Sequence, residues 1–155
     1  MGKKFTSFIS SVAASLLMGV ASAEVIVESA WVRGTVAAQT ATGAFMKLKS
    51  DQAVSLISVS SPAANMVEIH QMSINKATNV MNMHEVEKID IVPGKTTELK
   101  PGGYHVMLMN LVKPLKPGEH ISLTLEFKTA DGQSVKQNVK AEVREVTGKA
   151  EKPLH

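Results

Sequence analysis

The chain has 155 residues, a formal net charge of +3, 4% aromatic residues and no cysteine. That length suits one domain whose core needs no staples. The missing thiol removes disulfides, thiolate catalysis, zinc–thiolate sites and blue-copper centres, and the lack of a basic cluster or stacking aromatics argues against nucleic acid as a partner.

The opening residues read as an export signal: "MGKK" is positive, "FTSFISSVAASLLMGVA" is apolar and small, and "ASA" before Glu24 fits the small-x-small rule for cleavage. The apolar run falls short of the roughly 20 residues that span a bilayer, so residues 1–23 are expected to be removed, with no membrane insertion afterwards. Beyond Glu24, "EVIVESAWVRG", "TGAFMKLKS", "VSLISVSS", "NMVEIHQM", "VMNMHEVE", "IDIV", "TTELK", "YHVMLMNL", "HISLTLEFKT" and "SVKQNVKAEVREV" are rich in β-branched residues at period two. Each is expected to be a strand, with "SDQ", "SSP", "NKATN", "VPGK", "KPGG", "KPLKPGE" and "ADGQ" as turns. Strands at this regular interval, without a long amphipathic helical pattern, predict an all-β fold: an antiparallel β-sandwich over residues 24–146. The closing "TGKAEKPLH", residues 147–155, loses the alternation and reads as a flexible tail ending in His155.

Histidine and methionine are the unusual ingredients. Of nine methionines, all but Met1 and Met18 lie beyond Glu24, as do His70, His84, His105, His120 and His155. A strand turns successive side chains to opposite faces, so His105, Met107 and Met109 share one face, with Tyr104, Val106 and Leu108 on the other. Met66, Glu68, His70 and Met72 likewise share a face, as do Met81, Met83 and Glu85, and the short loop between these two stretches predicts a hairpin. The apolar β-branched set is expected to fill the core, leaving the His/Met set toward an edge or the surface. A lone methionine is ordinarily a gap-filler; three strands each offering His or Met on one face make a candidate ligand set, with core filling as the alternative. Thioether sulfur suits Cu(I) and adds little for zinc, magnesium or calcium. Neutral ligands near the surface fit a carrier better than a fixed catalytic centre.

The sequence resembles the periplasmic copper(I) chaperones of the PCuAC family in "AWVRGTVAAQTATGAFMKL" at 30–48, "VEIHQM" at 67–72, "MNMHEVE" at 81–87 and "ELKPGGYHVMLMNL" at 98–111. The family pattern is a His, ten residues, a Met, twenty-one residues, then His-x-Met. His105 and Met107 match its end and Met83 its middle, but twelve residues separate His70 from Met83. Met81 would restore the first interval and break the second; a hairpin loop absorbs two residues more easily than the later connection changes register, which favours Met83. Met72 and Met81 are the positions this leaves open. The resemblance implies a cupredoxin-like sandwich holding one Cu(I) through His70, Met83, His105 and Met107. It also implies a recipient: the copper A centre of cytochrome c oxidase, a thioredoxin-like copper protein or another copper-handling protein. A Cu(II) site in the tail is not expected, since only His155 is there.

The leading expectation is a monomeric periplasmic Cu(I) carrier without catalysis. Sequestration of periplasmic copper is the alternative on the same site, and a metal-free sandwich that serves as an interaction module is the alternative without it. A copper oxygenase would need a Cu(II)-friendly histidine set with an open position, which a thioether-rich set opposes. Trp31 and Tyr104 are expected to pack inside the sandwich.

Overall fold

A computed structural model describes residues 24–145 together with Gly2. The expected export signal, apart from Gly2, and the expected tail with His155 lie outside the described residues. The described chain forms ten strands and no helix: β1 (Val25–Arg33), β2 (Ala41–Ser50), β3 (Val54–Ser60), β4 (Ala64–Asn75), β5 (Val80–Glu85), β6 (Ile89–Ile91), β7 (Thr97–Leu99), β8 (Tyr104–Leu111), β9 (His120–Thr129) and β10 (Ser134–Arg144). Every stretch with period-two patterning becomes one of them.

The strands pair in the order β5-β4-β8-β2-β1-β10-β9-β3-β6, with β7 also on β2. The all-β class is borne out, with one departure from an antiparallel sheet: β1 and β10 run parallel, Trp31 to Arg33 alongside Glu142 to Arg144. No hairpin ties the first strand to the last, so nothing obliges them to be antiparallel.

The strip folds so that its inner faces meet. Leu123, Leu125 and Phe127 of β9 and Leu56 of β3 share one buried cluster with Met46 and Leu48 of β2, Ile69 of β4, and Val106 and Leu108 of β8. Along β8, Val106 and Leu108 are fully buried, while Met107 and Met109 face the other way and are half-buried. A slip of β8 by one residue would turn Val106 and Leu108 to solvent, at roughly 1.5–3 kcal/mol for each side chain, so burial fixes the register and with it the outward face.

Two local features aim particular side chains. A bulge in β1 between Glu28 and Trp31, with Ser29 at φ 53°, inserts one residue into the alternation. Val25 and Val32 therefore both face the core, and Trp31 turns to the outer face rather than packing inside the sandwich. Tyr104 does pack against the core. The β4–β5 hairpin is shaped by two asparagines: the Asn75 side-chain oxygen accepts from the Ala77 N–H at 2.9 Å, and Asn79 takes φ 54°, a conformation its short polar side chain tolerates.

Candidate metal centre

Three neighbouring strands carry the expected residues. Across β4 and β8, His70 stands opposite His105 and Glu68 opposite Met107; across β4 and β5, Met72 stands opposite Met83; across β2 and β8, Gly43 stands opposite Met107. All these positions lie on the face turned away from the core, because alternate residues of a strand share a face. The rings of His70 and His105 have centroids 5.8 Å apart. Met72, Met83, His105 and Met107 line a cleft of about 310 Å³, together with Phe45 and Arg33. Its mouth is apolar and wet: Met83 is 46% exposed, whereas His105 is only 4% exposed.

Hydrogen bonds select the nitrogen that each histidine can offer. His70 Nε2 lies 2.7 Å from a Glu68 carboxylate oxygen, which can only accept, so Nε2 carries the proton. Nδ1 is then the lone-pair nitrogen, and it is buried without a hydrogen-bond partner among the described residues. A buried polar atom left unpaired costs about 1–3 kcal/mol, and a ligand would recover that cost. His105 donates from Nδ1 to the Gly103 carbonyl at 3.3 Å, which leaves Nε2 with its lone pair. Holding one ring nitrogen so that the other stays basic is how proteins orient histidine for a metal.

The wall on the β2 side is aromatic. Phe45 is buried, yet it stands outside the core cluster: its ring lies 4.6 Å from that of Trp31 and 6.2 Å from that of His105, with the Arg33 guanidinium 5.4 Å from its centroid. Gly43 makes room for it, since a Cβ at that position would come within 3.0 Å of Phe45 Cζ. Gly43→Ala is therefore expected to destabilise the protein by about 1–3 kcal/mol through overpacking. Urea denaturation should show the lowered midpoint, and the Phe45→Leu background should recover most of the loss.

Burial is the first cause that holds His105 below its ordinary value of 6.5; the hydrogen bond to Gly103 opposes it, and unfavourable charge interactions with His70 and Arg33 lower it further. Below pH 6.5 the unfolded chain thus takes up a proton at this residue that the folded protein refuses. Stability is expected to fall as the pH drops through 6.5, and the fall ends once the folded form is protonated too. Urea midpoints at about pH 7 and about pH 5.5 check this, and His105→Gln should flatten the difference.

The remaining histidines and methionines are placed elsewhere. His84 pairs in register with Gln71 on an exposed strand, His120 begins β9 opposite Glu142, and His155 lies outside the described residues. Met81 stands opposite Ile74, two residues nearer the hairpin tip than Met83, and is 58% exposed. Met72, which sequence reasoning left open, lies in the cleft facing Met83. The signal for it was available: ten residues separate Met72 from Met83, the interval that His70 does not give. Gly43, Phe45 and Arg33 were not singled out at all, because nothing local in a strand marks a residue as the wall of a site on its neighbour. Among the described residues no three His, Asp or Glu side chains are grouped to hold a metal, so the donors on offer here are imidazole and thioether.

Strands alone, folded into a sandwich with such a cleft on the outer face near one edge, define a PCuAC-type domain. The fold is that of the copper-bound PCuAC domain from PmoF2, at a TM-score of 0.61 and 24% identity over 78% of this chain and 92% of that one. A likeness in sequence as well as shape joins the chain to the solution structure of CuI-DR1885 from Deinococcus radiodurans, with 31% identity, a TM-score of 0.57, and coverage of 79% of this chain and 78% of that one. The model of the LpqE-like family, described as "Putative lipoprotein LpqE-like", matches residues 25–139, and the chain belongs to that family. A relative within reach is "Putative lipoprotein Lxx21020" of Leifsonia xyli subsp. xyli, 31% identical over 114 residues that make up 74% of this chain and 68% of the relative. The PCuAC resemblance read from the sequence is thereby confirmed.

Proposed function

We propose that this protein is a Cu(I) carrier of the cell envelope that binds one ion in the outer cleft and hands it on without catalysing a reaction. One observation carries the reading: two histidines and three methionines converge on one face, and the lone-pair nitrogen of His70 is buried with no hydrogen-bond partner among the described residues. His70, Met83, His105 and Met107 are the ligands, with Met72 beside them. Imidazole and thioether are soft, neutral donors that favour Cu(I) over harder divalent ions. Five donors are one more than a tetrahedral ion needs, so a thioether can let go while the ion stays held. That surplus, at the wet mouth of the cleft, favours transfer over sequestration.

Support comes from the likeness to a copper-bound PCuAC domain and to CuI-DR1885, a Cu(I) form by its name. Residues 24–146 form the copper-binding domain. The LpqE-like family and the lipoprotein relative support an exported protein associated with the envelope, and the export signal read from the sequence favours the periplasm as its compartment. The recipient would be the copper A centre of cytochrome c oxidase or a thioredoxin-like copper protein, served by a monomer. Titration of the protein from Glu24 with Cu(I) against a competing chelator tests the reading. One equivalent is expected to bind, to weaken with Met83→Leu and to stay unchanged with Met81→Leu; no competitive binding by the parent would overturn it.

A further inference from the structure

The outer face holds more thioethers than the cleft uses. Met66 of β4 stands opposite Met109 of β8, and Met109 in turn stands opposite Ala41 of β2. The next pair along, Glu68 with Met107 and then Gly43, separates this row from that of His70 and His105. Met66, Met107 and Met109 therefore occupy one corner of the same face, a directly opposed pair plus its diagonal neighbour. Opposed strand residues have Cβ atoms about 4.5–5.5 Å apart and diagonal ones about 7–8 Å apart, within reach of long flexible side chains.

None of the three fills the core. Met66 is 46% exposed and Met107 and Met109 are half-buried, whereas the same strands send Val67 and Ile69, and Val106 and Leu108, inward. The residues beside the two β8 methionines are the small Ala41 and Gly43, both of which line the cleft. The corner therefore has small neighbours on the β2 side and meets the cleft at Met107, which lines it together with Met72 and Met83.

We infer that Met66, Met107 and Met109 form a second, weaker soft-metal site, an all-thioether station through which Cu(I) enters or leaves the cleft. This rests on the carrier reading above, and Met107 belongs to both sites. A neutral three-sulfur set lacks the imidazoles of the cleft, so it holds Cu(I) less tightly and discriminates against harder ions. Moving between stations, the ion exchanges ligands around Met107 without changing oxidation state.

The test is NMR of the protein from Glu24 carrying ¹³C-methyl methionine, titrated with Cu(I) under reducing, oxygen-free conditions. The first equivalent should move the methyl signals of Met83 and Met107 and leave Met66 in place; the second should move Met66 and Met109 and leave Met81 alone. Met66→Leu/Met109→Leu, a nearly isosteric change on the outer face, should keep the first equivalent, lose the second and slow the withdrawal of Cu(I) by a chelator. Unmoved Met66 and Met109 signals at two equivalents, with the first ion bound, would overturn the second site and leave the carrier reading standing. Failure to bind the first equivalent would overturn both. Retention of the second equivalent by the double variant would place that ion elsewhere and also overturn the inference.

Discussion

His105→Ala/Met107→Ala is expected to abolish Cu(I) binding that competes with a chelator while the fold survives. Loss of groups that merely orient metal ligands costs about 10–100-fold in affinity, and removing two of the proposed ligands should exceed that. The Nδ1 hydrogen bond of the buried His105 leaves its Nε2 lone pair free of that contact, and Met107 stands opposite both Glu68 and Gly43. Neither side chain belongs to the core cluster; their strand neighbours Val106 and Leu108 do. The apo variant should therefore keep its strand signature in circular dichroism and a cooperative urea transition. A variant that binds Cu(I) like the parent would remove these residues from the site, and one that fails to fold would show that His105 and Met107 serve the sandwich instead. Single replacements, His105→Gln and Met107→Leu, separate those cases, because both preserve volume and remove one donor each.

The largest effect on stability is expected at the other face. Phe127 is fully buried on β9, between Val135 of β10 and Leu56 of β3, in the cluster where the two halves of the folded strip meet. Phe127→Ala should cost about 3–5 kcal/mol, from lost transfer free energy and the cavity left behind. Small domains hold only about 5–15 kcal/mol in total, so the variant should be close to half-unfolded in mild urea. A fall in the urea midpoint with an unchanged slope checks this. Cu(I) affinity, measured where the variant is still folded, should be nearly that of the parent, since the cluster lies on the opposite face of β2, β4 and β8 from the site. That contrast separates an inner face that stabilises from an outer face that binds.

The ten strands were legible because each carries its own evidence: period-two patterning within the segment and Gly, Pro or Asn at its ends. The sharing of one face by His105 and Met107, or by His70 and Met72, was legible for the same reason, since alternation is a property of a single strand. The class of donor followed from composition alone, because a chain without cysteine can offer a soft metal only imidazole and thioether. Those are short-range or compositional facts, and the amino-acid sequence by itself determined them.

Only the tertiary structure decided which strands lie side by side. That Met72 faces Met83 depends on the register of the β4–β5 hairpin, set by the turn at Asn75 and Asn79. That Trp31 leaves the core and stacks on Phe45, whose ring lies beside His105, depends on a one-residue bulge at Ser29 in β1, which no alternation rule predicts because it breaks the alternation. That β1 runs parallel to β10 depends on closing a loop across nearly the whole chain. Such contacts join residues far apart in sequence, and their energies come from burial summed over the sandwich rather than from any local preference. A single strand can say which side chains travel together; the packed sheet alone says what they meet.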